Sequence, residues 1–126
     1  MRIQENLEKS KYEADGKINI QGVSIPYHTI CEDNFFVDEE NNPVASIFSY
    51  AYFRSDIQDN SKRPILFIYN GGPGCASLWL HMGLFGPRIV KLDDELNLPT
   101  VPPFELEDNP HCLLDICDLV FIDPVG

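Results

Sequence analysis

Basic residues are scarce in this sequence. Nine Lys and Arg stand against 20 Asp and Glu among 126 residues, for a net charge of −11. Phosphate backbones need a basic footprint, so this balance argues against nucleic acid as a partner. It argues equally against a polybasic contact with a membrane surface. Long hydrophobic runs are missing too, and nothing approaches the ~18 consecutive apolar residues of a membrane-spanning helix. The opening MRIQENLEKSKYEADGK is polar and lacks the apolar centre of a secretory signal. The expected location is therefore cytoplasmic, and the four cysteines, Cys31, Cys75, Cys112 and Cys117, are expected as reduced thiols. Cys112 and Cys117 have no His or Cys partner at zinc-site spacing, so no metal is expected.

What is present suits one domain or part of one. The hydrophobic fraction of 44% supplies a core, and a domain of this length buries roughly two-thirds of its unfolded surface. Residues 1–16 read as a polar lead-in. KINIQGVSIPYHTI alternates apolar and polar residues around Gly22, the pattern of a hairpin. A turn at VDEENNPV leads to VASIFSYAYFR, a third strand, and the short connections imply antiparallel neighbours. From Pro64 the character changes. ILFIY is apolar at every position, as expected of a parallel strand covered on both faces. CASLWLHMGLF carries Leu78, Met82 and Phe85 at helical spacing, and GPRIV stops that helix. Residues 91–110 read as a long surface loop, and DLVFID as a last strand. The order predicts the α/β class: antiparallel hairpin strands leading into a mixed, mostly parallel sheet. A strand that runs into Pro-Val-Gly with no covering helix leads us to expect the first part of something larger.

The bend NGGPG, Asn70–Gly74, joins the apolar strand to the helix. Glycine supplies positive φ cheaply, and Pro73 fixes the chain direction. The absence of side chains at Gly71 and Gly72 lets another molecule reach the backbone N–H groups. Such donors can stabilise an oxygen that gains charge in acyl transfer, and the Asn70 amide can donate to a carboxylate or carbonyl. A plain strand-to-helix turn is the competing explanation. A phosphate cradle is a third, without the Lys-Ser/Thr pair or the G-x-G-x-x-G order that would support it.

LFIYNGGPGCASLWLHMGLFGPRIV and NPHCLLDICDLVFIDPVG together resemble the serine carboxypeptidase family of α/β-hydrolase peptidases. The resemblance is strong from Pro64 to Gly126 and looser from Gly22 to Arg54. Proline iminopeptidases share G-G-P-G after a strand, but with His where this chain has Asn70. The family resemblance implies Ser–Asp–His acyl-enzyme chemistry on peptide or other acyl substrates, with no cofactor. It implies that Gly72 gives an N–H to the oxyanion hole and that Asn70 and Gly71 help to hold the substrate's terminal carboxylate. Cys75 matches a cysteine that is often disulfide-bonded in secreted members. Residues 17–126 then form a partial α/β-hydrolase domain, and its partner is the remainder of that domain.

The departures from the family matter as much. The G-x-S-x-G elbow and the later Asp and His are absent. GVSIP around Ser24 has Pro26 in place of the last glycine. Ser77 reads as support for the helix start, and neither His28, His81 nor His111 faces a nucleophile. Many members carry a glutamate two positions before the Gly-Pro; here it is Leu84. Arg88 is the candidate to receive the carboxylate instead, with a simple surface charge as the other reading. The acidic groups at 93–95 and 105–108 read as a solvated face. The chain alone is expected to be inert. Two alternatives stay open: a non-catalytic module that binds a carboxylate or a partner, and an esterase or acyltransferase of the same fold.

Overall fold

The architecture follows from two tight turns and one late strand. The computed structural model describes residues 10–71, 75–93, 95, 97 and 102–124. Strands β1 (Lys11–Ile20) and β2 (Val23–Val37) form an antiparallel hairpin. Its two-residue turn places Gln21 at φ 51° and Gly22 at φ 82°. Positive φ at both central residues matches the right-handed strand twist, and it is the reason glycine stands there. Strand β3 (Pro43–Arg54) returns antiparallel to β2. In that second turn Asp38 Oδ1 accepts the N–H groups of Glu40 at 3.0 Å and Asn42 at 2.8 Å, an aspartate bonding the backbone beyond it.

Strand β4 (Ile65–Tyr69) does not pair with β3. The last strand, β7 (Asp118–Asp123), enters between them, giving the order β1-β2-β3-β7-β4. β7 runs antiparallel to β3 and parallel to β4. The sheet is therefore mixed, as expected, but among the described residues only the β4–β7 pair is parallel, where a mostly parallel sheet was anticipated. Two short strands, β5 (Arg88–Val90) and β6 (Leu106–Asp108), make a separate antiparallel pair; β6 falls within the stretch expected to be loop, and β5 just before it.

One face of the large sheet carries the core. Ile18, Ile25, Ile68, Leu119 and Phe121 are buried there together with Cys112, Leu114 and Cys117 from the segment before β7. Tyr27, Tyr50, Tyr52 and Leu66 flank them, with Leu80 and Phe85 from the helical segment. That segment is one α-helical turn, α1 (Leu78–Leu80), continued by a π-helical turn, His81–Phe85. The helical spacing of Leu78, Met82 and Phe85 is met by this helical segment, with Phe85 packed on the core and Leu78 in solvent. His81 is the buried residue, while Leu78, Trp79 and Leu84 are exposed.

Two further expectations are corrected. Lys11–Gly16 are not a loose lead-in but strand, because their backbone pairs with Tyr27–Glu32 of the long β2 whatever their polarity. ILFIY is covered on one face only: Ile68 is buried, whereas Ile65, Phe67 and Tyr69 are 51%, 57% and 64% exposed. All four cysteines are free thiols, with Cys112 and Cys117 buried.

Candidate functional site

Because β4 and β7 are parallel, their carboxyl ends lie side by side, and this is the end of an α/β sheet where ligands bind. β4 finishes at Tyr69 and turns out through Asn70 and Gly71; β7 finishes at Asp123. Gly71 is exposed and does not occupy the left-handed region; a Cβ built there meets nothing within 4 Å. Its missing side chain therefore provides open access rather than a tight fit. Gly72, assigned to the oxyanion hole by the family resemblance, lies outside the described residues, as do Pro73 and Gly74.

Asn70 is tied into the bend. Its Nδ2 donates to Cys75 Sγ at 3.1 Å and to the Ala76 carbonyl at 3.2 Å. Its backbone N–H donates to Ser77 Oγ at 3.3 Å. Ser77 is buried; its hydroxyl donates to the Ile122 carbonyl, and its N–H donates to Asp123 Oδ1 at 2.8 Å. The bend is thus fastened to the end of β7. Sequence reasoning missed Asp123 in this role. The available signal is an Asp-Pro pair that closes an apolar strand.

His81 follows one turn after Ser77, and its N–H donates to the Ser77 carbonyl at 2.8 Å. The imidazole stacks on Phe121, with centroids 4.4 Å apart and planes 23° off parallel. Its Nε2 lies 2.5 Å from the Tyr52 hydroxyl. Burial pulls its pKa below the usual histidine value, with the Asp123 charge opposing. Burial pushes Tyr52 in the other direction, well above the usual tyrosine range. Tyr50 is raised by burial first and then by the Asp123 charge. These groups anchor the helical segment.

Arg88 is engaged elsewhere. Its Nη1 lies 2.5 Å from Asp108 Oδ1 across the β5–β6 pair, and its Nη2 donates to the Leu106 carbonyl at 3.2 Å. Among the described residues, no hydrogen bond or ion pair joins it to Asn70 or Gly71. His28 is on the opposite side of the sheet's order, in β2 next to the edge strand β1. There its Nδ1 meets Asp15 at 2.8 Å and its Nε2 lies 3.7 Å from Glu13. Ser24 is exposed on the β1–β2 hairpin, and His111 is exposed before β7. Beside the helical segment is a cleft of about 1010 Å³ lined by Leu78, Trp79, Met82, Ile89, Leu92 and Phe104, with Asp93 and Glu107 among its polar groups. Nothing in the sequence pattern announced it, since its walls come from the helix and from the two short strands.

No family model matches the chain. Among curated proteins, the pheromone-processing carboxypeptidase KEX1 of Saccharomyces cerevisiae (strain JAY291) is 32% identical over 90 residues, which cover 71% of this chain and 11% of that protein. KEX1 of Komagataella phaffii is 31% identical over 77 residues, covering 61% of this chain and 11% of that protein. The crystal structure of the Saccharomyces cerevisiae prohormone-processing carboxypeptidase superposes with a TM-score of 0.54 at 24% identity, over 79% of this chain and 19% of that one. At that identity the likeness is one of fold, the α/β-hydrolase fold. The chain is homologous to serine carboxypeptidases, at low identity and over part of its length. It spans about a tenth of the curated relatives it matches, 11% of each.

Proposed function

We propose that this chain is the amino-terminal part of an α/β-hydrolase domain in a serine carboxypeptidase-like hydrolase, one that removes residues from the carboxyl end of peptides. In this reading the described strands are one part of that domain, and the nucleophile elbow and the other triad members belong to the rest of it. The observation that supports this best is the position of the bend. It stands at the carboxyl ends of the only parallel pair among the described strands, and the outer edge of β4 is open for the next strand.

In this reading the Gly72 N–H is half of the oxyanion hole, a contribution of roughly 3–4 kcal/mol to the transition state. The other N–H comes from the residue after the serine, on the strand that pairs with β4. Asn70 and Gly71 receive the peptide carboxylate. The hydrogen that Asn70 gives to Cys75 Sγ is available for this, because a carboxylate is a stronger acceptor than a thiol sulfur. Arg88 is assigned to the β5–β6 pair instead, since Asp108 already satisfies its charge.

A fluorophosphonate probe tests the reading. The chain by itself stays unlabelled; stoichiometric labelling at any residue overturns the assignment. A chimera in which this chain replaces the matching segment of Saccharomyces cerevisiae KEX1 is labelled at its serine. A chimera that folds but does not react speaks against the proposal.

A further inference from the structure

The ends of β4 and β7 meet on one buried serine. Ser77 is 1% exposed. A hydroxyl has one hydrogen and two lone pairs. Here the hydrogen goes to the Ile122 carbonyl, and the oxygen receives the Asn70 N–H at 3.3 Å. The backbone N–H of the same residue is held by Asp123 Oδ1 at 2.8 Å. Burying a hydroxyl is costly unless it is bonded, so the site suits Ser through its hydrogen bonds and not through its volume alone. These bonds reach the residue immediately before Gly71 on one side and the end of β7 on the other.

We propose that Ser77, oriented by Asp123, is a positioning residue for the glycine bend. It fixes the direction in which Asn70 leaves β4, and therefore the direction in which the Gly71 N–H points. Donors to a developing charge are effective only when held within about 0.5 Å and 10–20° of their target, and the bend has no side-chain packing of its own at Gly71 to hold it there. The inference rests on reading the bend as part of an acyl-substrate site.

The test is solution NMR on the 126-residue chain. In Ser77→Ala the Asn70 amide proton moves upfield and exchanges with solvent at least about tenfold faster, relative to the Val120 amide in β7. Asn109→Ala is the control. It removes the side chain that donates to the Leu84 and Gly86 carbonyls at the other end of the helical segment, and it leaves the Asn70 amide within about threefold of wild type. An unchanged Asn70 amide in Ser77→Ala overturns the proposal, and so does equal acceleration in both variants, which would make Ser77 one more source of general stability. Asp123→Asn keeps the shape but weakens the bond to the Ser77 N–H. It gives the same upfield shift in smaller measure if Ser77→Ala does not fold, and no shift counts against the proposal. Titrating the wild-type chain with N-acetylphenylalanine and with its amide separates the two levels. Shifts at Gly71 with the acid alone support the site. Equal or absent shifts remove the site, and with it the role of Ser77, while the exchange result still reports on the bonds themselves.

Discussion

The guanidinium of Arg63 lies against the carboxylate of Asp118, Nε to Oδ1 3.1 Å, with the two side chains only 11% and 4% exposed. Arg63 also donates through Nη2 to the Leu114 carbonyl at 2.8 Å, and Asp118 receives the Arg54 N–H at 3.2 Å. One pair therefore fastens the start of β7 to β3 and to the chain entering β4. Arg63→Ala strands a buried carboxylate and a carbonyl together. The expected loss is about 3–5 kcal/mol, read as a fall in the urea midpoint; a loss below about 1 kcal/mol would show that the pair is solvated.

Tyr52 and His81 set the behaviour in acid. Burial holds the His81 pKa below its usual value, so the unfolded chain takes up the proton first. The contribution is complete above the ordinary histidine value of about 6.5 and is lost as pH falls below it. Wild type should lose stability between about pH 7.5 and 5, and His81→Gln should lose less over the same interval. Tyr52→Phe should cost about 1 kcal/mol near neutrality. Equal pH dependence in wild type and His81→Gln would place the acid sensitivity elsewhere.

His28 titrates in the opposite sense. Its hydrogen bond to Asp15 raises its pKa, with added charge from Asp15 and Glu13. Its contribution is present below the ordinary value and disappears as pH rises through the raised one. Proton NMR should give His28 a midpoint above that of His81, and Asp15→Asn should bring it down. A midpoint that does not move in Asp15→Asn would assign the shift to Glu13.

Gly86 and Gly83 should respond to alanine with opposite signs. A Cβ on Gly86 would meet the His81 carbonyl oxygen at 2.2 Å and its Cδ2 at 2.9 Å, although φ is an ordinary −65°. Gly86→Ala should cost about 1–3 kcal/mol through overpacking. A Cβ on Gly83 meets nothing within 4 Å, and Gly83→Ala should gain about 0.4–1 kcal/mol by restricting the unfolded chain. Thermal melts of the two variants decide this, and shifts in the same direction would contradict the close contact at His81.

Phe67 and Tyr69 stand exposed on β4, which pairs with β7 on one side and with no described strand on the other. An apolar edge of this kind templates pairing with another chain. Phe67→Lys should reduce self-association in sedimentation velocity at micromolar concentration, with no loss of the β1–β3 signal in circular dichroism. Self-association that is indifferent to Phe67→Lys would exclude this edge as its cause.

Much of the fold is legible in the sequence, for identifiable reasons. The runs at 65–69 and 118–123 have apolar centres and an adjacent proline, Pro64 before the first and Pro124 after the second, and both are strands. The Gly22 turn is legible because few other residues take positive φ. Other features depend on what lies across space. ILFIY states what a strand can bury, not what is present to bury it, and so its bare face escapes a reading of the sequence. Lys11–Gly16 are held by backbone pairing, which leaves no mark on composition. In the site, the bend itself is legible from three glycines and a proline. The bond from the Ser77 N–H to Asp123 is not, because it links residues 46 positions apart and exists only once β7 has taken its place beside β4.

That placement of β7 also orders events in time. β4 leaves the ribosome well before β7, yet β7 is the neighbour it pairs with. A nascent chain that has emerged only as far as Cys117 can close the hairpins of β1, β2 and β3, whose contacts are local. It has no partner for β4 and no Asp123 to grip Ser77. The hold of Asp123 on Ser77 therefore forms only when β7 takes its place between β3 and β4, a late step of the non-local kind that is slow and exposes apolar surface while it waits.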